Sequence, residues 1–114
     1  MNKFGKLSLP DKIKIGSEEL DVILDESIGP LESRGSFNES KIFLGIKNLN
    51  KKRWAFLLSL FIHEVLEMIL ENNGKRFDNS NGDILFCLSH TDFSIICEEL
   101  AIIMSEVYVN RRNR

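Results

Sequence analysis

The chain has 114 residues, of which 43% are hydrophobic and 28% charged, and its formal net charge at pH 7 is −2. These values are typical of one globular domain rather than a disordered chain, and we expect a single domain over residues 1–114. A net charge this small gives no general electrostatic reason to bind nucleic acid. The longest apolar run, Trp54 to Ile62, has nine residues where a membrane span needs about twenty, so a membrane partner is not expected.

The two termini of the chain and its two cysteines allow further predictions. The N-terminus, MNKFGKLSLP, has neither the apolar segment nor the cleavage site of a signal peptide. About five residues at the C-terminus are expected to form a disordered tail. Cys87 and Cys97 have no C-x-x-C spacing, which favours buried free thiols in a cytoplasmic protein over a disulfide framework.

Strand signals come first along the chain. Residues 12–24, KIKIGSEELDVIL, alternate between apolar and polar types and are interrupted by Gly16-Ser17. This pattern predicts two short antiparallel strands around a turn. Gly29-Pro30 marks a loop, and KIFLGI at residues 41–46 predicts a third strand.

A long helix is predicted from about Lys51 to Asn73. Asn48 or Asn50 would cap its N-terminus, and Gly74 would end it in the left-handed conformation that glycine adopts at little cost. The residues around Trp54–Ile62 are apolar on nearly all sides, which is typical of a central helix. Trp54 and the phenylalanines are expected in the core.

The last part of the chain predicts a polar loop and a second helix. Residues 74–83 are polar, and ILFCL at 84–88 suits either a strand or a helical turn. Apolar residues then recur at three- and four-residue spacing, which predicts a second helix. It would begin near Ser89 or Thr91 and end at about Tyr108. The fold class is therefore α+β, with an N-terminal antiparallel hairpin and a third strand packed on a central metal-binding helix and a C-terminal helix.

The chemistry is concentrated in HEVLE, residues 63–67. Residues four apart lie on the same face of a helix, so His63 and Glu67 could both reach one ion. Zinc accepts imidazole nitrogen and carboxylate oxygen at similar distances, although another divalent metal could use the same donors. Glu64 would flank the ion and take a proton from its bound water. The alternatives are a hydrogen-bonded polar pair in the core and a solvent-exposed group.

A catalytic zinc needs a third protein ligand. His90, where the second helix begins, is the first candidate, and Glu98 is the alternative. Glu99 is placed like Glu98, and Cys87 precedes His90 by three residues but lies in an apolar run.

The order of these segments resembles the small zinc-peptidase-like proteins of bacteriophages and mobile elements, the mini-gluzincin group. The segments are LPDKIKIG, GSFNESKIFLGI, HEVLE and SHTDFSIICEELA, over roughly residues 8 to 108. Members hold zinc with His-Glu-x-x-His and a downstream acidic or His ligand. The resemblance therefore implies His63 as a ligand, Glu64 as the general base, and a third ligand at His90 or Glu98. For a phage-encoded member it also implies the cytoplasm of a bacterial host.

The chain departs from that group at Glu67, which stands where a second His ligand is expected. His63, Glu67 and His90 would still form the His₂Glu set of thermolysin-type sites. Glu98 in place of His90 would make the set more anionic and favour Mn²⁺ or Fe²⁺. A second carboxylate ligand would also make bound water harder to deprotonate.

Three functions are compatible with the sequence. The first is a zinc-dependent metallohydrolase, a small peptidase that holds a peptide or protein substrate along an exposed edge strand, residues 41–46. The second is a catalytically inactive binding module with a structural or vestigial metal, because no Arg or His is clearly placed to stabilise an oxyanion. The third is a metal-free interaction protein.

Overall fold

The computed structural model of the chain describes residues 1–78 and 84–111, which form nine β-strands and two α-helices. The strands are β1 (Asn2–Phe4), β2 (Leu7–Leu9), β3 (Lys12–Ile15), β4 (Glu18–Asp25), β5 (Arg34–Ser36), β6 (Lys41–Gly45), β7 (Arg76–Asp78), β8 (Ile84–Phe86) and β9 (Tyr108–Val109). The helices are α1 (Trp54–Asn72) and α2 (His90–Met104). The predicted α+β class is confirmed.

The largest sheet has four strands in the order β3-β4-β6-β5. The predicted hairpin is β3 and β4, which pair antiparallel around Gly16 at φ 62°. The third strand, β6, is parallel to β4, and the chain between them forms a 3₁₀ turn at Pro30–Glu32 and the edge strand β5. The prediction that residues 41–46 form an edge strand is wrong, because β5 pairs with the free side of β6.

A second sheet joins the two ends of the chain in the order β1-β2-β9. β1 and β2 form a hairpin that turns at Gly5, where φ is 59°. β9 pairs with β2, and the Asn110 N–H donates to the Lys6 carbonyl at 2.8 Å. Asn110, the first residue of the predicted disordered tail, is therefore hydrogen-bonded to the β1–β2 turn, and residues 112–114 of the tail lie outside the described residues.

The helix α1 is the centre of the core. Asn50 accepts a hydrogen bond from the Lys52 N–H and starts a 3₁₀ turn, Lys51–Arg53, that leads into the helix. Gly74 follows the helix at φ 68°, as predicted. One side of α1 is fully buried against the four-stranded sheet and β2. The core residues with no exposed surface are Leu7, Leu9, Leu20, Ile42, Leu44, Leu57, Phe61, Val65 and Ile69.

The helix α2 packs less deeply. Ser89 caps it in a reciprocal pair with Asp92, and the helix ends at Met104 because Tyr108 belongs to β9. Ile96 and Ile103 face the core, but Phe93 is 53% exposed and was wrongly predicted as core.

Two other predictions, on the cysteines and on the segment between the helices, are wrong. Cys87 and Cys97 are both exposed free thiols, not core residues. Residues 84–86 form a strand, β8, rather than a helical turn. Its partner, β7, lies inside the segment 74–83 that the sequence predicted as a polar loop. Residues 79–83 of that loop lie outside the described residues. Neither α1 nor α2, nor any other helix within the described ranges, has the length and apolar character that crossing a bilayer requires.

Candidate metal centre

The middle of α1 brings His63, Glu64 and Glu67 together. His63 Nε2 lies 3.5 Å from Glu67 Oε2 and 3.9 Å from Glu64 Oε2. One ligand atom of each residue lies within 4.8 Å of the other two. The His63 side chain is 63% exposed, whereas that of Glu64 is 10% exposed. An accessible imidazole thus stands beside a carboxylate that packing holds in place.

The distances from His63 to the two carboxylates can be compared with those between two ligands of one zinc ion. Two ligands that each lie about 2.0–2.2 Å from a tetrahedral zinc are about 3.3–3.6 Å apart. The 3.5 Å between His63 and Glu67 falls within that range, so the pair can take one ion with little rearrangement. The 3.9 Å between His63 and Glu64 is somewhat wider, and Glu64 still belongs to the same group of possible ligands.

The cluster faces an open cavity of about 420 Å³. One wall is α1, from Leu60 to Glu71, and the other is the 3₁₀ turn at Pro30–Glu32 with the start of β5. Gly35 allows the two walls to approach, because a Cβ there would lie 2.3 Å from Met68 Sδ. An edge strand therefore runs beside the ligand atoms of the helix.

Arg34 also contributes to this cavity, and sequence reasoning missed it. Its guanidinium lies 4.5 Å from the centre of the Phe43 ring. Phe43 alternates along β6 with the buried Ile42 and Leu44, so the ring is on the face of the sheet away from α1. The guanidinium is thus turned away from His63 and Glu67. Its only sequence signal was a single charge in a short loop.

A second cavity, of about 270 Å³, lies on the other side of the His63–Glu67 pair. Leu66 and Leu70 of α1 line it, together with Leu88 from the segment that leads into α2. The chain therefore passes the cluster just before His90.

The predicted third ligands lie on α2 and are separate from the cluster. His90 is the first residue of α2 and is exposed, and Glu98 is exposed two turns further on. Glu99 accepts a hydrogen bond of 3.3 Å from the Asn73 side chain. Within residues 1–78 and 84–111, the only group of three His, Cys, Asp or Glu residues with ligand geometry is His63, Glu64 and Glu67.

Comparison of the chain with protein-family models, curated proteins and solved structures finds no match. The resemblance to the mini-gluzincin group therefore remains a prediction. The function has to be inferred from the geometry of the site.

Proposed function

We propose that the chain binds a divalent cation, zinc in the first instance, between His63 and Glu67, and hydrolyses peptide bonds at that site. One observation carries the proposal: the two side chains present donor atoms 3.5 Å apart at an open cavity, with the carboxylate of Glu64 next to them. A bound zinc would supply Lewis acidity and lower the pKa of water.

Glu64 is the general base in this proposal. Its side chain is 10% exposed, so packing fixes the carboxylate at the wall of the cavity. From there it can hold an attacking water and accept its proton. A base that is already in position loses little conformational entropy during the reaction.

The substrate is an extended peptide. β5 is the edge strand of the four-stranded sheet, and within the described residues no further strand pairs with its outer side. An added peptide strand would pair with that side and pass the cavity that β5 shares with His63 and Glu67. This role belonged to residues 41–46 in the sequence-based prediction, and β5 takes their place.

His90 is the proposed third ligand. Leu88 lines a cavity together with His63 and Glu67, and His90 follows it by two residues on an exposed turn. Its imidazole would complete a His₂Glu set. Glu98, two helical turns further along α2, is the alternative.

Metal content of gently purified protein is the first test. We expect about one zinc per chain in the wild type and a loss of zinc in His63→Ala and Glu67→Ala. Glu39→Ala, an exposed carboxylate near β5, is the control and should keep its zinc. His90→Ala and Glu98→Ala compared side by side identify the third ligand. A wild type that takes up no zinc, even when zinc is added back, would overturn the proposal.

Hydrolysis is tested separately with Glu64→Gln, which keeps the shape of the side chain and removes the base. We expect zinc binding to persist and cleavage of a peptide library to fall by at least about a hundredfold. Unchanged cleavage in this variant would exclude Glu64 as the base.

A binding module without turnover is the second candidate function. Among the described residues that line the cavity, Arg34 is the one Lys or Arg, and its guanidinium is turned away toward Phe43. An oxyanion formed at the site would therefore lack a side-chain cation to stabilise it. Stoichiometric zinc with no cleavage by the wild type would favour this second function.

A further inference from the structure

Lysines gather at the N-terminal end of α1, away from the metal cluster in the middle of the helix. Two cavities, of about 430 and 370 Å³, adjoin there and share Lys51 in their walls. The lysines that line one or both cavities are Lys3, Lys6, Lys47, Lys51 and Lys52. Three separate segments, the β1–β2 hairpin, the loop after β6 and the 3₁₀ turn before α1, thus contribute to one positive region.

The C-terminus adds to this region. The Asn110 N–H donates to the Lys6 carbonyl, so the exposed Arg111 continues from the same place. We call these six cations, Lys3, Lys6, Lys47, Lys51, Lys52 and Arg111, the basic surface.

The basic surface has little compensating negative charge within the described part of the chain. No ion pair links any of the six to a carboxylate of the described residues. Among the described residues that line the two cavities, Glu26 is the one with an acidic side chain. The net charge of −2 therefore conceals a local excess of positive charge, which is available to a polyanion.

An aromatic ring lies among these lysines. Trp54, the one tryptophan of the chain, lines the 370 Å³ cavity together with Lys6, Lys51 and Lys52. The indole is half-buried and packs against the core, so it forms a wall of the cavity. Proteins that bind single-stranded nucleic acid stack a base on such an aromatic ring, while the surrounding cations contact the flanking phosphates.

We infer that the basic surface binds single-stranded nucleic acid, with a base stacked on Trp54 and phosphates on the surrounding lysines. A single strand can place an unpaired base in the cavity, which a duplex cannot do. A membrane surface fits less well, because membrane-binding aromatic side chains protrude into the lipid and Trp54 is half-buried against the core. This inference is independent of the proposed metal site.

The fluorescence of Trp54 also provides a way to measure oligonucleotide binding. An oligothymidine of about 15 nucleotides is titrated into the full chain while tryptophan emission is followed. We expect quenching that saturates, and a Kd that rises with salt with a log–log slope of about 0.7 per phosphate contact. Heparin, a polyanion without bases, should bind without the same quenching. The titration is repeated with EDTA and should not change.

Matched charge reversals locate the site. Lys52→Glu should raise the Kd for the oligonucleotide about tenfold, whereas Lys14→Glu, the same change at an exposed position on β3, should change it less than about twofold. Equal effects of the two variants would overturn the inference, and so would binding that leaves tryptophan emission unchanged. Binding of phosphatidylserine vesicles in place of the oligonucleotide would also overturn it, in favour of a membrane surface.

Discussion

The two ends of α1 differ in how their charges are compensated. Just beyond the C-terminal end, Lys75 pairs with Asp92 at 3.0 Å. At the N-terminal end, Lys51 and Lys52 make no ion pair with the described residues. The first arrangement holds charges in place, and the second leaves them free for a partner. A net charge averaged over the whole chain cannot report either arrangement.

The same two ends also differ in how tightly the neighbouring strands are fixed. At the N-terminal end, a Cβ on Gly5 would lie 2.3 Å from the Lys51 carbonyl oxygen, which is backbone. Beside the candidate metal centre, a Cβ on Gly35 would meet Met68 Sδ at the same distance, but that atom belongs to a flexible side chain. We therefore expect the basic end to be rigid and the wall of the metal cavity to adjust.

The largest effect is expected for Gly5→Ala. The alanine would have to adopt the left-handed backbone conformation at φ 59°, and its Cβ would collide with the Lys51 carbonyl oxygen. Together these effects should lower the free energy of unfolding by about 3 kcal/mol. Gly74→Ala is the matched control, because its φ is 68° and no atom lies within 4 Å of the added Cβ. It should cost about 1 kcal/mol. Urea unfolding of both variants measures the difference, and equal values would mean that the β1–β2 turn can move away from Lys51.

A smaller effect is expected for Gly35→Ala. Met68 can change rotamer, so the cost should be about 1 kcal/mol, while Gly29→Ala, with nothing within 4 Å, should cost little. A double-mutant cycle with Met68→Ala tests the cause, because the added methyl group should fill part of the space that Met68 vacates. Additive effects in that cycle would show that the strain is taken up elsewhere.

Local features of the fold were predictable from the sequence. The turns at Gly16 and Gly74 depend on neighbouring residues, and the structure has them where the sequence placed them. Asn50 and Ser89 are the helix caps, each one of two predicted alternatives. α1 begins at Trp54 rather than at about Lys51, because Lys51–Arg53 form a 3₁₀ turn. The i, i+4 spacing likewise put His63 and Glu67 on one face of α1.

Features that depend on distant residues were not predictable. The pairing of β5 with β6 and of β9 with β2 joins short segments whose own signals are weak, so the edge strand was assigned wrongly. Phe93 and Cys97 are apolar in type but exposed, because α2 is apolar around most of its circumference and periodicity does not choose its buried face. The basic surface was missed because its lysines come from separate segments.

The smallest effect concerns the compensated end of α1 and its dependence on pH. The hydrogen bond from Lys75, followed by those from Ser89, lowers the pKa of Asp92 below its ordinary value of 3.8. Because the folded pKa is lower than the unfolded one, the stabilisation is present above pH 3.8 and is lost as the pH falls through the folded pKa. Thermal unfolding of the wild type and Asp92→Asn between about pH 2 and 6 should therefore show a difference in Tm that shrinks on acidification.

Glu106→Gln removes one exposed charge just after α2 and controls for net charge in that comparison. A difference between the wild type and Asp92→Asn that stays constant down to the lowest pH would mean that the Asp92 carboxylate does not stabilise the fold through its charge. The Lys75–Asp92 pair would then contribute as little as an exposed ion pair usually does. In that case the two ends of α1 would differ in geometry alone, and the unpaired lysines at its start would no longer contrast with a compensated end.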